Sequence, residues 1–396
     1  MAKRVVLAYS GGLDTSVAVK WLAEEMGYEV VAMAADVGQG GDFEVVRHRA
    51  LAAGAIAVEV VDARAEFADD FVLPALHANA LYEEKYPLVS SLSRPVIVSH
   101  LVATAAAYGA EAVAHGCTGK GNDQVRFEVG IRALNPDLDI VAPVRNWGFS
   151  RADSIDYAQK HDIPIAASKE KPYSIDQNLW GRAVECGEME DPWASPPGDV
   201  YEMTVVSKEA PEEVTISFEA GKPFAIDGEA MGFAEIIESL NVRLGAFGFG
   251  RIDMVENRRV GIKSREVYEA PGALALIMAH ADLESITLER DLAHEKARLA
   301  NRFCELVYDG LWYSPLREAL SEFMSYSQRF VTGDVRLLAE PNRVSVSGRR
   351  SAKSLYDYSL ATYEKEDAFR HSDAEGFVRL WGLGVETWSR QQRPRS

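Results

Sequence analysis

Short apolar runs, many of them rich in β-branched residues, alternate with amphipathic stretches over the first 166 residues of the chain. The runs are Arg4–Leu7, Val30–Ala35, Ala57–Val61, Ala112–His115, Ile140–Val144 and Ile163–Ala166. Between them, apolar residues recur at helical spacing in Val17–Met26, Phe43–Ala53 and Val96–Tyr108. This alternation predicts an α/β fold, with a mostly parallel, doubly wound sheet and helices on both faces.

A proline-punctuated segment, residues 168–197, separates this pattern from a different one. Beyond it, strands are predicted at Val214–Phe218, Phe224–Ile226, Val335–Ala339 and Val344–Ser347, and helices at Ala234–Leu244 and through most of Pro271–Val331. We therefore predict a first domain over residues 1–167, an α+β second domain over 168–360 and a C-terminal helical arm over 361–396.

The end of the chain is too apolar for a free tail. Its apolar residues are Phe377, Leu380, Trp381, Leu383, Val385 and Trp388. Exposed apolar patches of that size are uncommon on monomers, so two interpretations stay open: the tail folds back on its own domain, or it packs on another subunit.

The segment Ala8–Ser16 joins the first predicted strand to the first helix. Gly11 and Gly12 allow a sharp turn and close approach of a ligand. The residues that follow, Asp14 to Ser16, open a helix whose N–H groups and dipole favour an anion. An ordinary helix cap after a glycine turn is the alternative, but the preceding strand and the cluster of hydroxyl groups favour a phosphate site.

Two familiar phosphate loops are excluded by the sequence. The Gly-Lys pairs at 119–120 and 221–222 are followed by Gly121 and Pro223, so no Walker loop is present. No Gly-x-Gly-x-x-Gly opens the first helix, which removes the dinucleotide fingerprint.

A second glycine cluster lies in His115–Glu128, where three glycines precede Asn122, Asp123 and Arg126. An amide, a carboxylate and a guanidinium within one turn suit an amino acid, whose carboxylate prefers Arg and whose ammonium prefers Asp. A glycine-rich turn with a helix cap is the alternative. Since residues 10–16, 36–42 and 116–123 all follow predicted parallel strands, we expect the three loops at one edge of the sheet.

Three other polar stretches carry weaker signals. Tyr86–Pro95 has the pattern of a proline-bounded loop that caps a helix, and Tyr173–Trp180 lies where the two domains join. Gly250–Arg258 alternates charges, so Glu256 could pair with a neighbouring arginine on a solvated face.

Composition and charge narrow the class of protein. The 396 residues are 47% hydrophobic and 26% charged, as in ordinary globular proteins, and the net charge of −18 disfavours a nucleic-acid partner. Three cysteines without a Cys-x-x-Cys pair and scattered histidines predict no disulfide framework and no protein-built metal site. No signal sequence or long apolar span is seen, so we predict a cytoplasmic protein with no membrane partner.

With these pieces assembled, the chain resembles the argininosuccinate synthase family, a member of the ATP pyrophosphatases with a Ser-Gly-Gly-x-Asp-Ser/Thr loop. The matching motifs are Ala8–Ser16, Asp36–Gln39, Tyr86–Pro95, His115–Glu128, Tyr173–Leu179, Arg251–Asn257 and Ser264–Ala270. The resemblance implies ligation of L-citrulline to L-aspartate through citrullyl-AMP, with ATP cleaved to AMP and pyrophosphate, in arginine biosynthesis. It also implies a nucleotide-binding first domain, a synthetase second domain and a homotetramer with the arm at an interface.

The resemblance implies these site residues. ATP is expected at Ala8, Tyr9, Ser10, Gly11, Gly12, Leu13, Asp14, Thr15, Ser16, Ala35 and Gly116. Aspartate is expected at Thr118, Asn122 and Asp123, and citrulline at Tyr86, Ser91, Asn122, Arg126, Ser174, Glu256 and Tyr268. Ser10, Asp14 and Asp123 are expected to act in catalysis. Mg²⁺ carried on the ATP phosphates needs few protein ligands, and Asp14 is the candidate to face it; capping of the helix is the alternative role for this residue.

One residue departs from the family pattern. Ala183 stands where many members have a second citrulline-contacting serine, nine residues after Ser174. A neutral hydrogen bond contributes roughly 0.5 to 1.5 kcal/mol, so weaker citrulline binding is expected rather than loss of function.

Two other functions share the same fold signals. One is a tRNA-modifying enzyme of the ATP pyrophosphatase group, which the net charge and the absence of Cys-x-x-Cys disfavour. The other is a non-catalytic nucleotide-binding protein. Pyrophosphate release that requires both amino acids would separate the three.

Overall fold

The computed structural model describes residues 3–164, 173–364 and 367–393. The predicted boundary at residues 167 and 168 and the end of the predicted strand Ile163–Ala166 lie outside these residues. The chain divides into two compact units, residues 1–353 and 354–396.

The first half of the larger unit alternates strands and helices. Its strands are β1 (Arg4–Ala8), β2 (Glu29–Asp36), β3 (Ala57–Asp62), β4 (Ala112–Ala114) and β5 (Asp139–Val141). Its helices are α1 (Leu13–Glu24), α2 (Phe43–Ala52), α3 (Arg64–Glu66), α4 (Leu73–His77), α5 (Val89–Tyr108), α6 (Asp123–Leu134), α7 (Pro143–Trp147) and α8 (Arg151–Lys160), with a π-helical segment at Phe67–Val72.

The five strands form one parallel sheet in the order β3-β2-β1-β4-β5. Alternate residues of β1 point to opposite faces, so Val5 and Leu7 join one apolar core while Val6 joins the other. The predicted doubly wound sheet is confirmed. Because chain order reverses between β1 and β4, the loops after these two strands meet at the position where such sheets bind ligands.

The second half of this unit is built on antiparallel sheets. Its strands are β6 (Ser174–Asn178), β7 (Gly181–Glu185), β8 (Glu212–Glu219), β9 (Lys222–Ile226), β10 (Glu229–Ala230), β11 (Arg251–Asn257), β12 (Lys263–Glu269), β13 (Gly333–Glu340) and β14 (Arg343–Arg350). Its helices are α9 (Phe233–Gly245), α10 (Pro271–Thr287), α11 (Arg290–Tyr308) and α12 (Pro315–Ser327), with 3₁₀ turns at Gly187–Glu190, Gly198–Val200 and Gln328–Phe330.

These strands form two sheets, β10-β9-β8-β13-β14 and β11-β12-β7-β6. In the second, β12 lies between β11 and β7, so that Tyr268 pairs with Ile252 on one side and with Ala183 on the other. The predicted α+β architecture of the second half is confirmed. The four-stranded sheet matters most for function, since several of its side chains line the cavity described below.

Two predicted boundaries are wrong, and both involve a proline. The predicted strand Ile140–Val144 ends at Val141, because Pro143 begins helix α7, where its missing N–H costs nothing. The predicted loop Tyr86–Pro95 is mostly helix, since α5 begins at Val89 and continues through Pro95. Val89, Leu92 and Val96 of this helix are buried in the apolar core, and their burial outweighs the local preference of proline.

The smaller unit contains helices α13 (Tyr358–Ala361) and α14 (His371–Gln392). No residue of α14 is buried, and Trp381 and Val385 are 79% and 71% exposed. The predicted C-terminal helix is confirmed. No helix in the described parts of the chain is both long and apolar enough to cross a membrane.

Candidate active site

A cavity of about 360 Å³ opens where the loops after β1 and β4 meet the four-stranded sheet. It is lined by Ser10, Asp14, Tyr86, Ser90, Arg94, Gly116, Cys117, Thr118, Gly121, Asn122, Asp123, Arg126, Ser174, Ile175, Asp176, Ala183, Glu185, Glu256, Arg258, Glu266 and Tyr268. Most of these side chains are polar or charged. The cavity therefore suits a polar, charged ligand better than an apolar one.

The first wall is the turn between β1 and α1. Gly11 adopts a left-handed φ of +75°, and a Cβ there would lie 3.2 Å from Val46. Ser10 Oγ lies 3.1 Å from Thr15 Oγ1. Gly12 is the N-cap of α1 and supplies no side chain for the first-turn N–H groups. The turn thus combines hydroxyl groups with a helix N-terminus, an arrangement that favours an anion.

The loop after β4 lies directly against this turn. A Cβ on Gly116 would lie 3.0 Å from Thr15 Cγ2, which shows how closely the Gly116 backbone approaches the Thr15 side chain. The same loop continues through Thr118 and Gly121 along the cavity. Any larger residue at Gly116 would narrow the space beside the α1 N-terminus.

Asp123, the first residue of α6, is held by two arginines. Arg94 donates to Asp123 Oδ2 at 2.7 Å and, through the same Nη2, to Asp176 Oδ2 at 2.6 Å. Arg126 Nη1 donates to Asp123 Oδ1 at 2.9 Å. Burial alone would raise the pKa of Asp123, but the two guanidinium groups lower it to about 2. Asp123 is therefore a fixed anion at neutral pH.

Asn122 and Arg126 are anchored from outside the cavity. The Asn122 side chain donates to the Tyr308 hydroxyl at 2.8 Å and accepts from the Arg259 backbone N–H at 2.8 Å. Arg126 Nε donates to the Tyr308 carbonyl at 3.1 Å, and its guanidinium lies 5.0 Å from the centre of the Tyr308 ring. These contacts set the orientation of both side chains before any ligand binds.

Three glutamates of the four-stranded sheet, Glu185, Glu256 and Glu266, line the cavity. Glu256 is only 3% exposed, which makes the solvated-face interpretation of this residue wrong. The Tyr268 hydroxyl lies 3.2 Å from Glu256 and 2.7 Å from Glu266. Burial and the neighbouring Glu266 raise the pKa of Glu256 to about 8. Burial and Glu266 also raise the pKa of Glu185, although Arg258 opposes this shift.

Ser174 and Ala183 lie on neighbouring strands β6 and β7, and both line the cavity. Ala183 therefore leaves a methyl group where a serine would present a hydroxyl to the cavity.

Tyr86 is buried and stacks on Tyr268 with ring centres 4.5 Å apart. Its hydroxyl accepts from the Ser90 N–H at 2.8 Å, which ties the start of α5 to this wall.

Several of the predicted site residues do not line the cavity. Seven belong to the predicted ATP segment that joins β1 to α1: Ala8, Tyr9, Gly11, Gly12, Leu13, Thr15 and Ser16. Ser16 is buried, and its hydroxyl is hydrogen-bonded to the Tyr9 hydroxyl. Ser91 is fully buried, and its neighbour Ser90 lines the cavity instead. Ala35 lies at the end of β2, and its carbonyl accepts from Gln39 Nε2 in the following loop at 2.7 Å.

The loop after β2, residues 36–42, also does not line the cavity. It packs on the second half of the chain instead, since Leu179 N donates to the Val37 carbonyl at 2.8 Å and a Cβ on Gly38 would overlap Leu179. Of the three loops expected at one edge, the cavity thus brings together the two that follow the adjacent strands β1 and β4.

Two sequence models of one family match nearly the whole chain. The model described as "Arginosuccinate synthase N-terminal HUP domain" matches residues 4–164. The model described as "Arginosuccinate synthase C-terminal domain" matches residues 173–388, which is more than half of the chain. The chain belongs to the argininosuccinate synthase family. Family membership implies a ligase of arginine biosynthesis that binds small molecules, and the HUP domain indicates use of ATP.

Among solved structures, the chain is similar to one described as a predicted subunit of tRNA methyltransferase from Methanocaldococcus jannaschii. The two share 13% identity over 39% of this chain and 75% of that chain, with a TM-score of 0.28. A likeness of this size carries no conclusion about function.

Sequence reasoning left out five charged residues that line the cavity: Arg94, Asp176, Glu185, Arg258 and Glu266. Arg94 and Asp176 lie inside the polar stretches 86–95 and 173–180. Because these two family motifs carry opposite charges, the sequence could have predicted an ion pair between them. Glu266 also lies inside a family motif, Ser264–Ala270, whereas Glu185 lies outside all of them. Only the pairing of β7 with β12 and of β12 with β11 brings them beside Glu256.

We searched residues 3–164, 173–364 and 367–393 for side chains that could bind a metal ion. No group of three or more His, Cys, Asp or Glu side chains in these ranges is arranged to hold one. Asp14 provides a carboxylate beside the α1 N-terminus. A single carboxylate fits a Mg²⁺ that is bound mainly by substrate phosphates.

Proposed function

We propose that this chain ligates L-citrulline to L-aspartate, cleaving ATP to AMP and pyrophosphate through a citrullyl-AMP intermediate. One observation carries the proposal: a single cavity joins the anion-binding turn of α1 to the charged groups of α6 and of the four-stranded sheet. Such a cavity offers a polyphosphate and two amino acids complementary groups within one space. Membership of the argininosuccinate synthase family supports the same reaction.

ATP would bind along the turn Ala8–Ser16, with Ala35 and Gly116 on the adenosine side. The pyrophosphate would lie at the N-terminus of α1, next to the hydroxyls of Ser10 and Thr15. Charge grows on the leaving pyrophosphate as the P–O bond breaks. Fixed donors at that position stabilise the transition state more than the substrate.

Mg²⁺ would be held mainly by the phosphates of ATP, with Asp14 as its protein neighbour. When bound, such an ion neutralises phosphate charge. The role of the turn itself is to orient the phosphates through hydroxyl and backbone donors.

Citrulline would bind at the sheet side of the cavity, where the residues assigned to it are Tyr86, Ser91, Asn122, Arg126, Ser174, Glu256 and Tyr268. Arg126 suits its carboxylate, and Glu256 suits its ammonium group. Because Ser91 is buried behind Ser90, its contribution would be to support the cavity wall. Ala183 removes one hydroxyl contact from the same wall.

Aspartate would bind at Thr118, Asn122 and Asp123. Since Asp123 stays ionised, it would attract the ammonium group of this substrate. The ureido oxygen of citrulline attacks the α-phosphorus of ATP, and the bond to pyrophosphate breaks. The aspartate amine then attacks the activated ureido carbon, loses a proton, and AMP leaves.

No step in this scheme requires a covalent bond to the protein. Positioning and fixed charges would therefore supply most of the catalysis, with Ser10, Asp14 and Asp123 closest to the reacting groups. We also propose a homotetramer, supported by the exposed apolar side chains of α14. A cytoplasmic location and the absence of nucleic-acid and membrane partners stay predictions.

The test is a pyrophosphate-release assay with ATP and Mg²⁺. Release that requires both citrulline and aspartate, with stoichiometric AMP and argininosuccinate, is the expected result. ATP–pyrophosphate exchange that requires citrulline alone would support the adenylated intermediate. Release with tRNA but not with the two amino acids would contradict the proposal and favour an RNA-modifying enzyme.

A further inference from the structure

Tyr308, the last residue of α11, contacts Asn122 and Arg126, two side chains that the proposed function assigns to citrulline, although it does not itself line the cavity. It is 1% exposed and belongs to the apolar core. Its hydroxyl contacts Asn122, whereas its carbonyl and its ring both contact Arg126.

The hydroxyl fixes the amide of Asn122. Asn122 Oδ1 accepts from the backbone N–H of Arg259 at 2.8 Å, and a backbone N–H can only donate. The amide nitrogen therefore faces Tyr308, whose hydroxyl oxygen accepts at 2.8 Å. This fixes the amide orientation and leaves one N–H, which the cavity-lining Asn122 can donate to an oxygen of a ligand.

The carbonyl and ring of Tyr308 fix Arg126. The carbonyl accepts from Arg126 Nε at 3.1 Å, and the guanidinium lies over the ring at 5.0 Å. Just beyond α11, Gly310 has a φ of +78°, and a Cβ there would lie 2.9 Å from Arg126 Cα. The end of α11 is thus packed tightly against the first turn of α6.

The Tyr308 hydroxyl also lies near enough to Glu256 to favour its ionised form, which opposes the rise in the pKa of that carboxyl caused by burial and Glu266. The hydrogen bond that holds Glu256 comes from Tyr268, at 3.2 Å. Other ionisable groups surround this carboxyl: Glu266 and Tyr268 on β12, Arg126 on α6, and Tyr82 and Tyr86 before α5.

We propose that Tyr308 is a positioning residue, which holds Asn122 and Arg126 in the orientation needed to bind, together with Glu256, the amino-acid substrate of the adenylation step. The inference rests on the proposed function, since it assumes that citrulline binds these side chains. An N–H donor, a guanidinium and a carboxyl at fixed separations recognise an α-amino acid whose side chain carries a carbonyl oxygen.

The test is Tyr308→Phe, which removes the hydroxyl and leaves the ring and the carbonyl. The matched control is Tyr82→Phe. The Tyr82 ring stacks on Tyr308 with centres 3.7 Å apart, but its hydroxyl donates to the Asn257 carbonyl at 3.2 Å. Both variants therefore lose one hydroxyl from the same ring stack.

We expect Tyr308→Phe to raise the KM for citrulline roughly 2- to 10-fold, as for loss of a hydrogen bond to the neutral Asn122 amide. The KM for ATP should change less than about twofold, because the α1 turn makes no use of Tyr308. The pH above which citrulline binds well should also rise, since Glu256 loses a donor to its ionised form. Tyr82→Phe should match the wild-type protein in all three quantities.

A citrulline KM and pH profile equal to those of the wild type would overturn the assignment. So would a parallel rise in the KM values for citrulline and ATP, which would indicate a general loss of structure. Failure of the proposed function would give a different result: the wild-type protein itself would show no citrulline-dependent ATP–pyrophosphate exchange, whatever the behaviour of the variants.

Discussion

Citrulline binding should strengthen as the pH rises from about 6 to about 8, because of Glu256. This carboxyl is buried beside Glu266, and its pKa without substrate is about 8. The ammonium group of citrulline favours the ionised carboxylate, so binding lowers this pKa and releases a proton. A group that must lose a proton in order to bind gains affinity as the pH increases.

The size of the effect follows from the fraction ionised. With a pKa of about 8, about a tenth of Glu256 is ionised at pH 7 and about half at pH 8. Since apparent affinity scales with the competent fraction, the dissociation constant for citrulline should fall about fivefold over this interval. The proton released per citrulline bound should approach about one at pH 7.

Isothermal titration calorimetry measures both quantities. Citrulline is titrated at about pH 6, 7 and 8, in two buffers of different ionisation enthalpy at each pH. Glu256→Gln is the matched variant, because its amide has the same shape and cannot titrate. It should bind citrulline more weakly and with no pH dependence. A wild-type affinity that is constant across this range, or the same pH dependence in Glu256→Gln, would refute the reasoning.

Three further outcomes are expected. Asp123→Ala should raise the KM for aspartate roughly 10- to 100-fold, because it removes the fixed anion beside Arg94 and Arg126, while citrulline-dependent ATP–pyrophosphate exchange changes much less. Ala183→Ser should lower the KM for citrulline roughly 2- to 10-fold by returning a hydroxyl to the cavity wall. Truncation after Asp373 should lower the oligomer mass in light scattering, since it removes the exposed apolar residues of α14.

Each of these has a clear contrary result. An unchanged KM for aspartate in Asp123→Ala would mean that the carboxylate does not bind that substrate. An Ala183→Ser variant with unchanged or weaker citrulline binding would mean that the hydroxyl cannot reach it. An oligomer of unchanged mass after truncation would remove the interface interpretation of the arm.

The sequence determined the parts of this protein that depend on local pattern. Alternating apolar runs and helical periodicity predicted the parallel sheet, and the order of strand, glycine turn and hydroxyl-bearing helix start predicted the anion site at Ser10 and Asp14. The cluster from Gly116 to Arg126 was also visible, because glycines and complementary charges lie close together in the chain.

Tertiary structure alone decided the groups that lie far apart in the chain. Pairing of β7, β12 and β11 brings Glu185, Glu266 and Glu256 together, and burial then raises the pKa of Glu256. Arg94 joins two carboxylates that are 53 residues apart, and Tyr308 reaches Asn122 across 186 residues. Periodicity reports which face of an element is apolar, but it does not report which distant side chain will share a buried charge or hydrogen bond with it.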